Sequence, residues 1–226
     1  MTESKPNGRT GIDQLVMIAN PTSPAAEAYR TLRATIQLGR ADGLTAKVLF
    51  TSSESEDGKS TTIANLGVAA AQAGSRVILV DGDLRRPRLH EIFGLPNGEG
   101  LATLLARGVI DDVPTQETTI KGLRVLTSGP APTSPVDLLS GAAMRKLVTS
   151  LAEDADLLML DSPPAGTLAD ASVLAGCVDG VVLVLDARRT RREHAQRAKT
   201  QLERVHANIL GVVLGNGRVD TSAYRY

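Results

Sequence analysis

The sequence predicts a three-layer α/β domain with a mainly parallel central sheet, and three observations carry the prediction. Short apolar runs rich in β-formers recur at residues 48–50, 77–80, 123–126, 157–160, 181–185 and 209–214. Stretches with helical periodicity separate them, among them 61–73, 142–152, 169–177 and 190–205. The runs are apolar at consecutive rather than alternate positions, as strands covered on both faces must be.

Each element has its local reason. Residues 1–20 are polar, carry Pro6 and Gly8, and read as a flexible leader. A domain at 21–217 and a tail at 218–226 complete the organisation. From Ser23 the sequence SPAAEAYRTLRATIQL has a capping serine, a proline suited to the first turn and apolar positions at helical spacing. In the stretch 190–205, Ala195, Ala198, Leu202 and Val205 share one face. Gly94–Gly100 and Gly129–Pro135 are glycine- and proline-rich loops.

Composition excludes several classes. The 226 residues suit one sizeable domain with a real core. Basic and acidic residues number 25 each, so the zero formal charge argues against a general nucleic-acid binder. A single cysteine, Cys177, permits no internal disulfide, fits a reducing compartment and reads as a small buried residue. No apolar run approaches the ~18–20 residues that cross a bilayer, and the N-terminus lacks a signal-peptide core. A cytoplasmic location follows as the expectation. Aromatic residues are scarce, which makes Tyr224 and Tyr226 at the end of the sequence conspicuous.

In an open parallel sheet, ligands bind beyond the carboxyl ends of the strands. Three motifs fall there. After residues 48–50 comes SSESEDGKSTT, in which Gly58-Lys59-Ser60-Thr61 opens a helix. Backbone amides of Ser55, Glu56, Asp57, Gly58 and Thr61 would cradle phosphate, Lys59 would reach the β- and γ-phosphates, and Ser60 would ligate Mg²⁺. The full phosphate-loop pattern has glycine five residues before Gly58, where this chain has Ser53. Next, VILVDGDLRRPRLH places Asp81 and Asp83 after a buried strand, either as solvated turn carboxylates or as a metal-proximal pair. Third, LLMLDSPP ends another buried strand in Asp161, the expected place for a carboxylate that holds Mg²⁺ or its waters.

Taken together these motifs resemble the bacterial tyrosine kinases of polysaccharide export, relatives of the MinD/ParA ATPases. The resemblance runs from about Leu15 to the C-terminus. It includes NPTSPAAEAYRTLRATIQ, with its Glu-x-x-Arg-x-x-Arg pattern at Glu27, Arg30 and Arg33, and VDGDLRRPRLH. It also includes SGPAPTSPVDLLSGAAMRKL, LLMLDSPPAGTLADASVLAGCVDGVVLV and the tyrosine tail TSAYRY. It implies ATP and Mg²⁺ as cofactors and phosphoryl transfer to Tyr224 and Tyr226. Lys59 would neutralise charge, and Ser60, Asp81 and Asp161 would hold the metal. Asp81 or Asp83 would accept the phenolic proton, and Arg85 and Arg86 would contact phosphates or acceptor. It further implies a homo-oligomeric ring joined through Glu27, Arg30 and Arg33, where the residues alone suggest i, i+3 ion pairs. A membrane adaptor of the polysaccharide co-polymerase type would hold the protein at the inner face of the membrane. Sugar-nucleotide enzymes would be possible further substrates. Tyr29 reads as packing rather than as an acceptor.

The tail has the reach for transfer in cis or in trans. Ten residues from Leu214 to Tyr224 extend to at most about 34 Å, against a radius of gyration of about 17 Å for this length.

Three departures from the family pattern shape the alternatives. The tail has two tyrosines rather than a larger cluster. Asn216, a candidate adenine contact, stands one position beyond the usual asparagine. Ser55-Glu56 replaces the Pro-Gly of relatives, which restricts a backbone that needs φ > 0. Glu54, Glu56 and Asp57 beside phosphate are expected to cost ~1–2 kcal/mol, about tenfold in affinity. A MinD/ParA-like ATPase switch would carry an extra lysine where this chain has Glu54. A silent interaction module is the third alternative.

Overall fold

A computed structural model describes residues 11–38, 46–108, 110 and 112–217. Seven strands form its sheet: β1 (Ala46–Ser52), β2 (Val77–Asp81), β3 (Gln116–Glu117), β4 (Leu123–Leu126), β5 (Leu157–Asp161), β6 (Gly180–Asp186) and β7 (Ile209–Gly215). Their order is β3-β4-β2-β5-β1-β6-β7, parallel throughout except for the short antiparallel edge β3. The helices are α1 (Val16–Ala19), α2 (Pro24–Leu38), α3 (Lys59–Gln72), α4 (Leu89–Phe93), α5 (Leu101–Arg107), α6 (Pro135–Ser140), α7 (Ala142–Glu153), α8 (Asp170–Ala175) and α9 (Arg192–Arg204).

Two apolar layers sandwich the sheet, as the continuous apolar strands require. One gathers Phe50, Leu79, Met159 and Val182 with Ile63 and Leu66 of α3 and Ala26 of α2. The other gathers Leu49, Ile78, Leu158 and Val181 with Leu147 of α7, Leu174 of α8 and Leu202 of α9. The expected cap of α2 is present: Ala26 N–H donates to Ser23 Oγ at 3.2 Å. Tyr29 packs against the first layer, and burial pushes its phenol pKa up.

Three expectations change. The leader reading fails from Gly11 onward, where a 3-10 turn (Gly11–Gln14) and α1 bury Ile12, Leu15 and Met17. Met17 N–H donates to Asn65 Oδ1 of α3 at 3.1 Å, so a few spaced apolar side chains suffice to anchor an otherwise polar segment. Residues 1–10 lie outside the described part. Second, β7 is an edge strand and is not covered on both faces: Leu210, Val212 and Leu214 are 50%, 54% and 64% exposed. Third, α4, α5 and α6 are helices of seven residues or fewer, too short to show periodicity.

Candidate nucleotide site

Sheet register brings the chemistry to one level. Asp81 pairs with Asp161 across β2 and β5, and Phe50 pairs with Asp161 across β1 and β5. The phosphate loop after β1 therefore starts beside both carboxylates. Gly82 makes the close approach possible, because a Cβ there would lie 2.6 Å from Asp161 O. Its own N–H donates to that oxygen at 3.0 Å.

The loop turns into α3 at Gly58, whose φ of 85° lies in the left-handed region that glycine enters freely. Thr62 N–H to Gly58 O, at 2.9 Å, is the first intrahelical bond. The amides of Lys59, Ser60 and Thr61 thus have no acceptor within the helix and suit an anion at its N-terminus. Ser55, Glu56, Gly58, Lys59, Ser60, Thr61 and Asp83 line a cavity of about 860 Å³.

Beneath the cavity lie the charges. Lys59 Nζ stands 2.8 Å from Asp83 Oδ2 and 3.5 Å from Asp161 Oδ1. Burial works against its ammonium, but Asp161 and Asp83 outweigh it and hold the pKa above the ordinary lysine value. Ser60 Oγ donates to Asp161. Burial pushes the Asp161 carboxyl up, against the opposing pull of Lys59 and Ser60.

The two aspartates of the DGD turn differ. Asp83 Oδ1 accepts the N–H groups of Arg85 and Arg86, and Oδ2 accepts Lys59, so both of its oxygens are engaged. Asp81 Oδ2 accepts Arg88 and Leu89 N–H at 3.1 and 2.9 Å, while its buried Oδ1 has no partner. Burial, reinforced by Asp161, pushes the Asp81 pKa up to about 8.

This donor set fits Mg²⁺. The groups on offer are hard oxygens of Ser60, Asp81 and Asp161, among them the unpartnered Asp81 Oδ1. Among the described residues no cluster of three or more His, Cys, Asp or Glu side chains could hold a metal unaided. That is the arrangement of an ion that keeps waters and leans on substrate phosphates.

The acidic loop resolves differently from its expectation. Asp57 is buried: its Oδ2 accepts Ser53 Oγ and Glu54 N–H, and its Oδ1 accepts Thr190 Oγ. Its side chain thus braces the loop from within and is not among the residues that line the cavity. Glu56 sits at φ 67°, a left-handed conformation that favours glycine, and its exposed carboxylate reaches Arg189 at 3.4 Å. Glu54 Oε1 lies 2.9 Å from His194 Nδ1. Asp57 and Glu56 are thus engaged from the β6–α9 side, which turns charge away from the loop interior although Glu56 still borders the cavity.

Other placements differ too. Arg85 is tied to buried Asp170 at 3.0 Å, and Arg86 lines the cavity in its stead. Asn216 donates to Asp186 Oδ2 at 2.8 Å and is not among the cavity residues. Glu27 and Arg30 form the bland i, i+3 ion pair at 3.0 Å, while Arg33 donates to Gln37 and leaves a buried Nε unpartnered. Tyr224 and Tyr226 lie outside the described residues. Sequence reasoning missed Gly11, Gln14, Leu15, Arg88, Glu91 and Ile92 as cavity walls, and Thr190 and His194 as loop braces. Arg88 lies within VDGDLRRPRLH without having been singled out, and the others are brought near only by the fold.

The parallel sheet, the strand-end carboxylates and the lysine of the phosphate loop define a P-loop NTPase. The family description "ParA: NUBPL iron-transfer P-loop NTPase" matches residues 44–217. Within that class the similarity is narrower. The tyrosine-protein kinase YwqD of Bacillus subtilis (strain 168) is 37% identical over 213 residues, covering 94% of this chain and 90% of that one. The putative tyrosine-protein kinase CapB of Staphylococcus aureus is 34% identical over 219 residues, 96% of each chain. The crystal structure of the chimerical protein CapA2B2 superimposes with a TM-score of 0.83 at 36% identity, over 89% of both chains. The chain belongs to the ParA-type P-loop proteins and, among them, to the bacterial tyrosine-protein kinases.

Proposed function

We propose that this chain transfers the γ-phosphoryl group of ATP to tyrosine, including its own Tyr224 and Tyr226, in a system that makes or exports a capsular or extracellular polysaccharide. The observation that carries the reading is the Lys59–Asp83–Asp161 cluster beneath a phosphate-sized cradle, with Asp81 beside it holding one oxygen open.

Phosphoryl transfer asks the protein for positioning and charge neutralisation more than for covalent chemistry. The α3 amides and Lys59 hold the phosphates. Ser60 and Asp161 would hold Mg²⁺, with Asp81 contributing directly or through water, and the ion would supply further neutralisation of the transferring phosphoryl group. Arg86 faces the phosphates or the incoming acceptor. A phenol of pKa about 10 needs a base in reach. Both oxygens of Asp83 are already engaged, by Lys59 and by the Arg85 and Arg86 N–H groups, which leaves neither open toward an acceptor hydroxyl. Asp81 keeps one oxygen open, so in this reading the phenolic proton passes to Asp81, directly or across one water.

A homo-oligomer joined through Glu27, Arg30 and Arg33 would present the tail to a neighbouring site. No helix among the described residues is long and apolar enough to cross a membrane. With the chimeric make-up of the CapA2B2 relative, this supports a separate membrane adaptor and a place at the inner membrane face. Asn216 beside the loop end supports an adenine contact only if its amide leaves Asp186.

Incubation with ATP and Mg²⁺ followed by mass spectrometry tests the reading. Phosphotyrosine at 224 or 226, absent in Lys59→Met, supports it. Release of free phosphate with no modified tyrosine would replace it with an ATPase switch.

A further inference from the structure

Four of the five residues 188–192 are arginines: Arg188, Arg189, Arg191 and Arg192. All four are exposed, the first three in the connection between β6 and α9 and Arg192 at the start of α9. Arg189 is engaged by Glu56, whereas Arg188, Arg191 and Arg192 have no acidic partner among the described residues. The acidic residues flanking the run are Asp186, whose Oδ1 accepts the Arg188 backbone N–H at 2.8 Å and whose Oδ2 is taken by Asn216, and Glu193. A chain with zero net charge has thus concentrated unpaired guanidinium groups at the ligand end of the sheet.

The polypeptide leaves the fold directly against this run. Ala187 N–H donates to Gly215 O at 2.9 Å, and Asn216 Nδ2 donates to Asp186 Oδ2 at 2.8 Å. A Cβ on Gly217 would lie 3.9 Å from Ala187 Cβ. From Gly217, seven residues lead to Tyr224 and nine to Tyr226, at most about 24 and 31 Å of extended chain. The tail therefore starts beside the arginines and has the length to fold back onto them.

We propose that Arg188, Arg191 and Arg192 form a receptor for the phosphorylated tail, with phosphotyrosine 224 or 226 as its ligand. The proposal rests on the tyrosine-kinase reading for the origin of that ligand. The unmodified tail, in which Arg218 and Arg225 outnumber Asp220, has no charge that would draw it to the cluster. Each phosphate adds about −1.5 to −2 charges and supplies that attraction. Guanidinium forks bind phosphate oxygens two at a time, a geometry that lysine does not reproduce. The receptor adjoins the phosphate loop through Arg189 and Thr190, which hold Glu56 and Asp57. A docked product tail is thereby kept next to the site that made it.

The test uses the full chain without ATP, so that its own tail stays unmodified and kinase activity plays no part. A synthetic, fluorescently labelled peptide of residues 217–226, phosphorylated at both tyrosines, is titrated and followed by anisotropy beside its unphosphorylated form. The phosphopeptide is expected to bind at least tenfold more tightly. That preference should disappear in a variant with Arg188→Ala, Arg191→Ala and Arg192→Ala whose melting temperature is unchanged, and should weaken in the corresponding all-lysine variant. Equal binding of the two peptides, or undiminished preference in the alanine variant, overturns the proposal. So does binding of phosphatidylglycerol vesicles through the same arginines without discrimination between the peptides, which would make the cluster a membrane contact. Failure of the kinase reading would show separately, as phosphopeptide binding by a chain that never labels its own tyrosines.

Discussion

Glu56 carries two strains at once, a left-handed backbone and a charge beside a polyanion site, and the structure relieves only the second. Its carboxylate turns to Arg189, while φ stays at 67°. Left-handed backbone costs a non-glycine residue roughly 1–2 kcal/mol. Glu56→Gly should therefore raise stability by about 1 kcal/mol in denaturant titration. ATP affinity by calorimetry should change less than about threefold, because an exposed ion pair contributes little. At Asp81 the strain is electrostatic. Its folded pKa near 8 exceeds the unfolded value near 4, so the native state binds the extra proton. Stability of the nucleotide-free protein must then fall as pH rises through that window. Asp81→Asn should flatten the dependence and raise the melting temperature at pH 8 by at least about 2 °C, the shift expected from ~1 kcal/mol at this size. A parallel fall in both proteins would show that the burden lies elsewhere.

At the scale of elements, the phosphate loop is braced from outside rather than by its own glycines. Thr190 accepts Asp186 N–H and donates to Asp57, each at 2.9 Å, and so ties the β6–α9 connection to the loop. Thr190→Val removes the hydroxyl and leaves one Asp57 oxygen unpaired, at a cost of ~1–3 kcal/mol. Steady-state kinetics should show KM for ATP rising severalfold with kcat nearly unchanged; an unaltered KM would mean that Ser53 braces the loop alone. Six strands are readable within two residues because buried apolar runs admit few alternatives, whereas the two-residue edge strand Gln116–Glu117 has no apolar run to mark it. Residues 11–19 were not, since Ile12, Leu15 and Met17 are scattered among polar neighbours and gain meaning only against α3 and α4. Met17→Ala should cost ~2–5 kcal/mol in denaturant titration, the range for a fully buried side chain cut to alanine. A surface-like value below 0.5 would contradict the packing.

For the whole molecule, motif order and strand-end placement made the site legible before its geometry was known. Lys59, Ser60, Asp81, Asp83 and Asp161 converge because sheet order places β1 between β5 and β6, with β2 beside β5. No local pattern encodes that order, nor the turning of Arg85 toward Asp170, which needs α8 packed nearby. Ring assembly also belongs to this scale. Sedimentation velocity of an Arg30→Ala, Arg33→Ala variant should show loss of large species; unchanged assembly would leave Glu27, Arg30 and Arg33 as helix-surface partners only.

The central claim is that phosphoryl transfer uses the open oxygen of Asp81 within the Lys59 cluster. Single-turnover transfer from Mg²⁺-ATP to the tail tyrosines, measured with ATP affinity in Asp81→Asn and Asp83→Asn, tests it most directly. Asp81→Asn should lower the transfer rate by about 10²–10⁴, the usual loss of a general base, with ATP binding kept within a few-fold. Asp83→Asn should act chiefly on binding by freeing Lys59. Transfer at the wild-type rate in Asp81→Asn would contradict the account.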